Sequence, residues 1–132
     1  MLEGIGKIKA WELSDKLVLL IYKVTRKFPR EEMYGLVSQM RRAAVSVPAN
    51  IVEGTQRQYL KEYLQFLYTA KSSLAEVEYY IYLSHGLEYL PDREYEELST
   101  LQAEAARTLQ GLIRWLEKQI ETGKITKQDL QK

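Results

Sequence analysis

The side chains in this sequence that can move protons or hold a metal are few. His85 is the single imidazole, and there is no cysteine. Glu62, Glu76 and Glu78 precede His85 on one segment, and carboxylates in such a setting serve as general acids, general bases or hard metal ligands. A di-iron bundle needs two Glu-x-x-His motifs, which one histidine cannot supply. No glycine-rich phosphate loop, nucleophile motif or zinc spacing occurs. The expectation is therefore no catalytic residue, no metal ligand and no cofactor, with an enzyme the least supported class. His85 reads as a helix C-terminal residue. Glu78 falls at the edge of an apolar stripe one heptad from Lys71, and reads as a member of a structural ion pair or network.

Cationic groups offer a second chemistry. Lys23, Arg26, Lys27 and Arg30 lie close together, and Arg57 and Lys61 flank Tyr59. Lysine and arginine neutralise backbone phosphates, and a neighbouring tyrosine can stack on a base. The whole chain, however, carries a net charge of only +1. Residues 1–66 hold eleven Lys/Arg against seven Asp/Glu (+4), and residues 67–132 hold eight against eleven (−3). Dedicated nucleic-acid binders are usually strongly basic, so near-neutrality favours a local patch over a dedicated binder. Ten tyrosines favour protein contacts, where tyrosine is enriched.

These groups must be positioned by helices. At 132 residues the chain fits one domain, long enough to bury roughly two-thirds of its unfolded surface without disulfides. No run approaches the ~20 apolar residues of a membrane helix, and the opening MLEGIGKIKAW lacks a signal-peptide core. A cytoplasmic protein with no membrane contact is expected. In the first segment Leu13, Leu17, Leu20, Val24 and Phe28 recur at helical spacing, up to Pro29. In the second Met33, Leu36, Val37, Met40, Ala44, Val47 and Ile51 do so, with Glu31 and Glu32 at its start and Gly54 as a C-cap. In the third Leu60, Leu67, Leu74 and Ile81 stand seven apart with Tyr63, Ala70 and Val77 between them, ending at the His85-Gly86 pair. The fourth starts after Pro91, follows Leu98, Leu101, Ala105, Leu112 and Trp115, and closes at Gly123. Period-two alternation is absent. The expected fold is an all-α, left-handed, antiparallel up-down-up-down four-helix bundle, with helices near 9–28, 31–53, 58–86 and 92–121 and a loose tail at 122–132.

Two of these helices carry more apolar surface than one core uses. Tyr59, Phe66, Ser73 and Tyr80 form a second stripe on helix 3, roughly 80° from its core direction. Tyr34, Val45, Pro48 and Val52 form one on helix 2. Pro48 removes a backbone N–H and crowds the preceding turn, which predicts a bend there. A third face of helix 2 runs Arg42, Ser46, Ala49, Glu53, where small residues permit close approach. One reading is a wide core arc with a few exposed aromatics; the other is a subunit interface, since exposed apolar patches of this extent are uncommon on monomers. The candidate oligomer interface comprises Tyr34, Arg41, Arg42, Val45, Ser46, Pro48, Ala49, Val52, Glu53, Tyr59, Phe66, Ser73 and Tyr80. Arg42 and Glu53 are too far apart to pair along one straight helix, so each is expected to find a partner on another helix, within the subunit or across the interface, with Glu76 favoured for Arg42.

The stretch YGLVSQMRRAAVSVPANIVEG, followed by EYLQFLYTAKSSLAEVEYYI, resembles a bacterial family of small four-helix-bundle proteins first noticed as reading frames inside intervening sequences of large-subunit ribosomal RNA genes. The matching positions are Tyr34, Gly35, Leu36, Gln39, Arg42, Ala43, Ala44, Ser46, Pro48, Asn50, Ile51, Glu53 and Gly54, then Phe66, Leu67, Ala70, Ser73 and Glu76. Val47 replaces an isoleucine, and Ser72 stands where the family often has glycine. The resemblance implies a ring-like homopentamer, suspected binding of RNA or DNA, and no established enzymatic activity. A more distant likeness is to the accessory protein of diversity-generating retroelements, a basic pentamer from which this near-neutral chain departs. A ring would repeat each basic cluster around a rim. Two functions follow as expectations: a nucleic-acid-binding accessory protein, or a protein-interaction scaffold.

Overall fold

The computed structural model of the chain describes residues 4, 6 and 8–123. Four α-helices account for most of them: α1 (Lys9–Thr25), α2 (Leu36–Thr55), α3 (Leu60–Gly86) and α4 (Asp92–Thr122). A single 3-10 turn, Arg30–Glu32, lies between α1 and α2. Each helix packs against its two neighbours around a square, α1 on α2 and α4, and α3 on α2 and α4. Successive helices run antiparallel, and among the described residues there is no strand. The all-α four-helix bundle expected from the periodicity is the fold. Of the tail expected at 122–132, residues 124–132 lie outside the described residues.

The core is continuous. On α3 the heptad positions Leu67, Leu74 and Ile81 are buried, with Tyr63, Ala70 and Val77 between them, while Leu60 is half-buried. Two stripes are rotated from expectation. On α1 the fully buried residue is Ile21, and Leu20 is half-buried on the α4 side. On α4 the inward row is Leu98, Gln102, Ala105, Leu109, Ile113 and Leu116. Leu101 and Leu112 pack only partly against the core, and Trp115 is exposed. The apolar arc of α4 is wide enough for either row, and the positions of α1 and α3 select the one facing the centre. Gln102 is tolerated there because its side-chain amide donates to the Leu74 carbonyl at 3.1 Å, so its burial leaves that donor satisfied.

Helix ends also differ from expectation in informative ways. α1 ends at Thr25, and Phe28 continues into the core as part of the turn, its ring 5.4 Å from that of Tyr89. The second helix starts at Leu36 rather than near 31, so Met33 and Tyr34 precede it and stand exposed. Glu32 still serves that terminus: its Oε1 accepts from the Leu36 N–H at 3.4 Å, and its Oε2 from the Tyr89 hydroxyl at 2.8 Å. Gly86 is not the left-handed residue that ends α3. That conformation falls to Glu88, with φ 65°, while the amides of Tyr89 and Leu90 both return to the Ser84 carbonyl. α4 closes as expected on Gly123, with φ 64°.

Gly54 is not a C-cap either. It lies inside α2, which runs on to Thr55. A Cβ placed on it would stand 2.7 Å from Tyr63 Cδ1 and 3.0 Å from Phe66 Cβ. Absence of a side chain, not backbone freedom, is what this position requires. Pro48 is buried within the same unbroken helix. Burial of Tyr63 pushes its hydroxyl pKa up to about 12.

The change Gly54→Ala should therefore destabilise the bundle by about 1–3 kcal/mol, the usual range for overpacking. Urea unfolding would show it as a lower midpoint at unchanged slope. A midpoint equal to that of the parent chain would mean that α2 and α3 separate freely at this point.

Candidate functional site

His85 occupies the last turn of α3, as expected. Its Nε2 lies 2.7 Å from Asp92 Oδ1, and its ring stacks on Tyr95 at 4.0 Å with an interplanar angle of 11°. The imidazole thus joins the end of α3 to the start of α4. Among the described residues no group of three or more His, Asp or Glu side chains is arranged to hold a metal. Glu78 is exposed and forms no ion pair with Lys71 or any other described residue. The expected ion-pair role for Glu78 is corrected accordingly.

The two basic clusters sit at opposite poles. Lys23, Arg26, Lys27 and Arg30 are exposed where α1 ends. That pole also carries the start of α4, so Lys27 Nζ meets Glu94 Oε1 at 2.6 Å. Glu31, Glu88, Asp92, Glu96 and Glu97 are exposed around the same pole. Antiparallel topology has brought the basic end of the first half against the acidic start of α4. At the other pole Arg57 Nη2 reaches Glu53 Oε1 at 2.7 Å, and its guanidinium lies 4.4 Å over the Phe66 ring. Lys61 and Tyr59 are exposed beside it.

The candidate interface residues divide. Ser73 and Pro48 are buried within the subunit. Ser73 Oγ lies 2.9 Å from Ser46 Oγ, which also accepts from the Asn50 amide at 2.9 Å. Phe66 and Tyr80 are half-buried in the same α2–α3 seam. The physical reason is the small-residue side of α2: Ala43, Ser46, Asn50 and Gly54 let α3 approach closely enough to cover most of its own second stripe. Tyr59, Val45 and Tyr34 remain exposed, at 59%, 40% and 93%. Ala49 is exposed and Val52 half-buried.

The charged members satisfy themselves nearby. Arg41 Nε donates to Thr25 Oγ1 at 3.0 Å, and its guanidinium lies 4.5 Å over Tyr22. Arg42 Nη2 donates to Gln39 Oε1 at 2.6 Å, one turn back on α2, rather than reaching Glu76. Glu53 likewise pairs with Arg57, four residues on and beyond the end of its own helix. Within the subunit the expected cross-helix anchors give way to local ones, because Glu76 stands exposed on α3 while Ser73 and Val77 turn inward.

Several exposed apolar residues carried no signal at the level of single stripes. Leu19 is 64% exposed and Tyr22 37% on α1, and Tyr79 and Tyr82 are 56% and 65% exposed on α3. Only the high tyrosine count pointed toward the three tyrosines, and nothing pointed toward Leu19.

Residues 6–111 match the family model described as 23S rRNA-intervening sequence protein. No curated protein matches the chain. Among solved structures, a crystal structure of a protein of unknown function from the S23 ribosomal protein family of Bacteroides thetaiotaomicron aligns with a TM-score of 0.73 at 24% identity. The alignment covers 80% of this chain and 95% of that one; at this identity the likeness is one of fold.

The change Ser73→Ala tests the division between seam and interface. It should cost about 1 kcal/mol in unfolding free energy, the typical value of one hydrogen bond, and leave the mass in solution unchanged. A changed mass at unchanged stability would return Ser73 to the surface between subunits.

Proposed function

This chain belongs to the 23S rRNA-intervening sequence protein family, and from that premise we propose that it is a non-enzymatic protein that assembles with copies of itself into a scaffold for protein contacts. One observation carries this reading. After the core is complete, apolar side chains remain outside it along the outer side of α1 and α2: Leu19, Tyr22 and Val45 are all more than a third exposed. Burying such a stripe releases roughly 25 cal/mol per Å², and a second copy is a partner always present at the right concentration. A ring needs two different surfaces that complement each other, since head-to-tail contacts close only if the rotation does. The proposed number of five comes from the family resemblance.

A non-enzymatic role is supported by how the reactive groups are used. His85 is held by Asp92 and Tyr95 in a connection between helices.

Nucleic-acid binding is the second reading, favoured by one observation: Lys23, Arg26 and Arg30 are exposed and take part in no ion pair among the described residues. The acidic side chains around the same pole oppose it, because a phosphate drawn to the lysine and arginines is repelled by them within a Debye length of about 10 Å.

Light scattering at micromolar concentration should return a multiple of the 15.5 kDa chain mass. Val45→Glu should bring the mass down to that of one chain, because it places an unpaired charge in a desolvated contact. A parent chain that is already monomeric would sink the assembly reading. Fluorescence anisotropy with labelled RNA and DNA, between 50 and 200 mM salt, tests the second reading. Weak binding with a steep salt slope is expected, reduced when Arg26, Lys27 and Arg30 are changed together to alanine. No binding at the lowest salt would remove nucleic acid and leave the scaffold alone.

A further inference from the structure

The outer groove between α3 and α4 is a separate feature from the α1–α2 stripe. Its lining includes the small side chains Ala75 and Ala103. Toward the C-terminal end of α3 it widens into a cavity of about 450 Å³, lined by Glu78, Tyr79, Tyr82, Tyr95 and Gln102 among others. The rings of Tyr79 and Tyr82 are 6.4 Å apart and inclined at 30°. Both are more than half exposed. No described lysine or arginine lines this part of the groove. Glu78 also borders the adjoining stretch of the groove, where Lys71 and Arg107 stand.

Two exposed phenol rings, a third already stacked on His85, and a carboxylate with no ion pair line this end of the groove, and its cations stand only in the adjoining stretch. Aromatic faces carry negative potential and attract cations. A carboxylate beside the rings adds a full negative charge to their attraction. Phosphate is repelled by the same carboxylate. Among cations, guanidinium fits best: it is planar, stacks on an aromatic ring and bonds a carboxylate with two parallel N–H groups. The chain already contains an occupied version of this constellation. Arg57 lies 4.4 Å over Phe66 while its Nη2 bonds Glu53 at 2.7 Å. Glu78 with Tyr79 and Tyr82 repeats the carboxylate and the rings.

We propose that the α3–α4 groove at Glu78, Tyr79 and Tyr82 is a binding site for an arginine side chain presented by a partner protein. The inference stands apart from self-assembly, since it uses neither Val45 nor the α1–α2 side of the bundle.

The test uses the full chain and a fluorescein-labelled peptide of alternating arginine and glycine. A peptide with citrulline in place of arginine keeps the shape and loses the charge. Anisotropy at 50 mM salt should show binding of the arginine peptide, with the citrulline peptide weaker by about tenfold or more. Glu78→Gln and Tyr82→Leu, both at exposed positions where folding is undisturbed, should each weaken binding by about tenfold. Lys71→Ala, which removes a like charge from the adjoining stretch, should not weaken it. Equal affinity for the two peptides, or full affinity in both Glu78→Gln and Tyr82→Leu, would overturn the proposal. So would a labelled single-stranded RNA that binds in place of the peptide and is lost in Tyr82→Leu.

Discussion

The approach of α2 to α3 at Gly54 is the contact on which the rest of the bundle depends. A hydrogen atom stands where any other residue would put a methyl group within 2.7 Å of Tyr63 and 3.0 Å of Phe66. Because that space is absent, the backbones close together and the hydroxyls of Ser46 and Ser73 meet at 2.9 Å further along the same seam. Close approach at one edge of the square sets where α3 stands relative to the centre. That in turn decides which side of α3 faces α4, and which of two apolar rows on α4 turns inward. Interiors are packed to crystal density, so a shift of one edge cannot be absorbed locally.

The same seam explains the surface that remains. Most of the second stripe of α3 is consumed inside the subunit, covering α2. Part of what is left outside the core lies on the other flank of α2, next to α1, and part in the groove between α3 and α4. These are different sides of the bundle with different chemistry. The α1–α2 side is apolar with an arginine already stacked on Tyr22. The α3–α4 groove has phenols and an unpaired carboxylate. A bundle whose two sides differ in this way suits head-to-tail contacts and partner capture better than pairing of two like faces.

Charge follows the topology more than the local sequence. Lys23, Arg26, Lys27 and Arg30 are a basic run when read alone. In the fold they share a pole with the start of α4, and Lys27 is taken by Glu94 from a residue 67 positions away. Tyr89 is taken in the same manner by Glu32, and that hydrogen bond raises the tyrosine pKa. A pole with mixed charge has a weak far field, so the basic run attracts a distant polyanion less than its composition suggests.

The sequence by itself determined the helices, their order and most of the core, because periodicity at three and four residues records which side of a helix must avoid water. The heptad row of α3, the left-handed cap at Gly123 and the position of His85 at a helix end were all legible. So was the presence of surplus apolar surface around α2. Only the tertiary structure decided which surplus residues stay outside. Ser73 and Pro48 went in and Trp115 stayed out, since those choices depend on the distances between helices, and these follow from contacts such as Gly54 on Tyr63 that link residues on different helices. The partners of charges belong to the same class. Arg42 took Gln39, Glu53 took Arg57 and Lys27 took Glu94. A long flexible side chain pairs with whatever the finished surface places within reach, and no spacing along one helix records that.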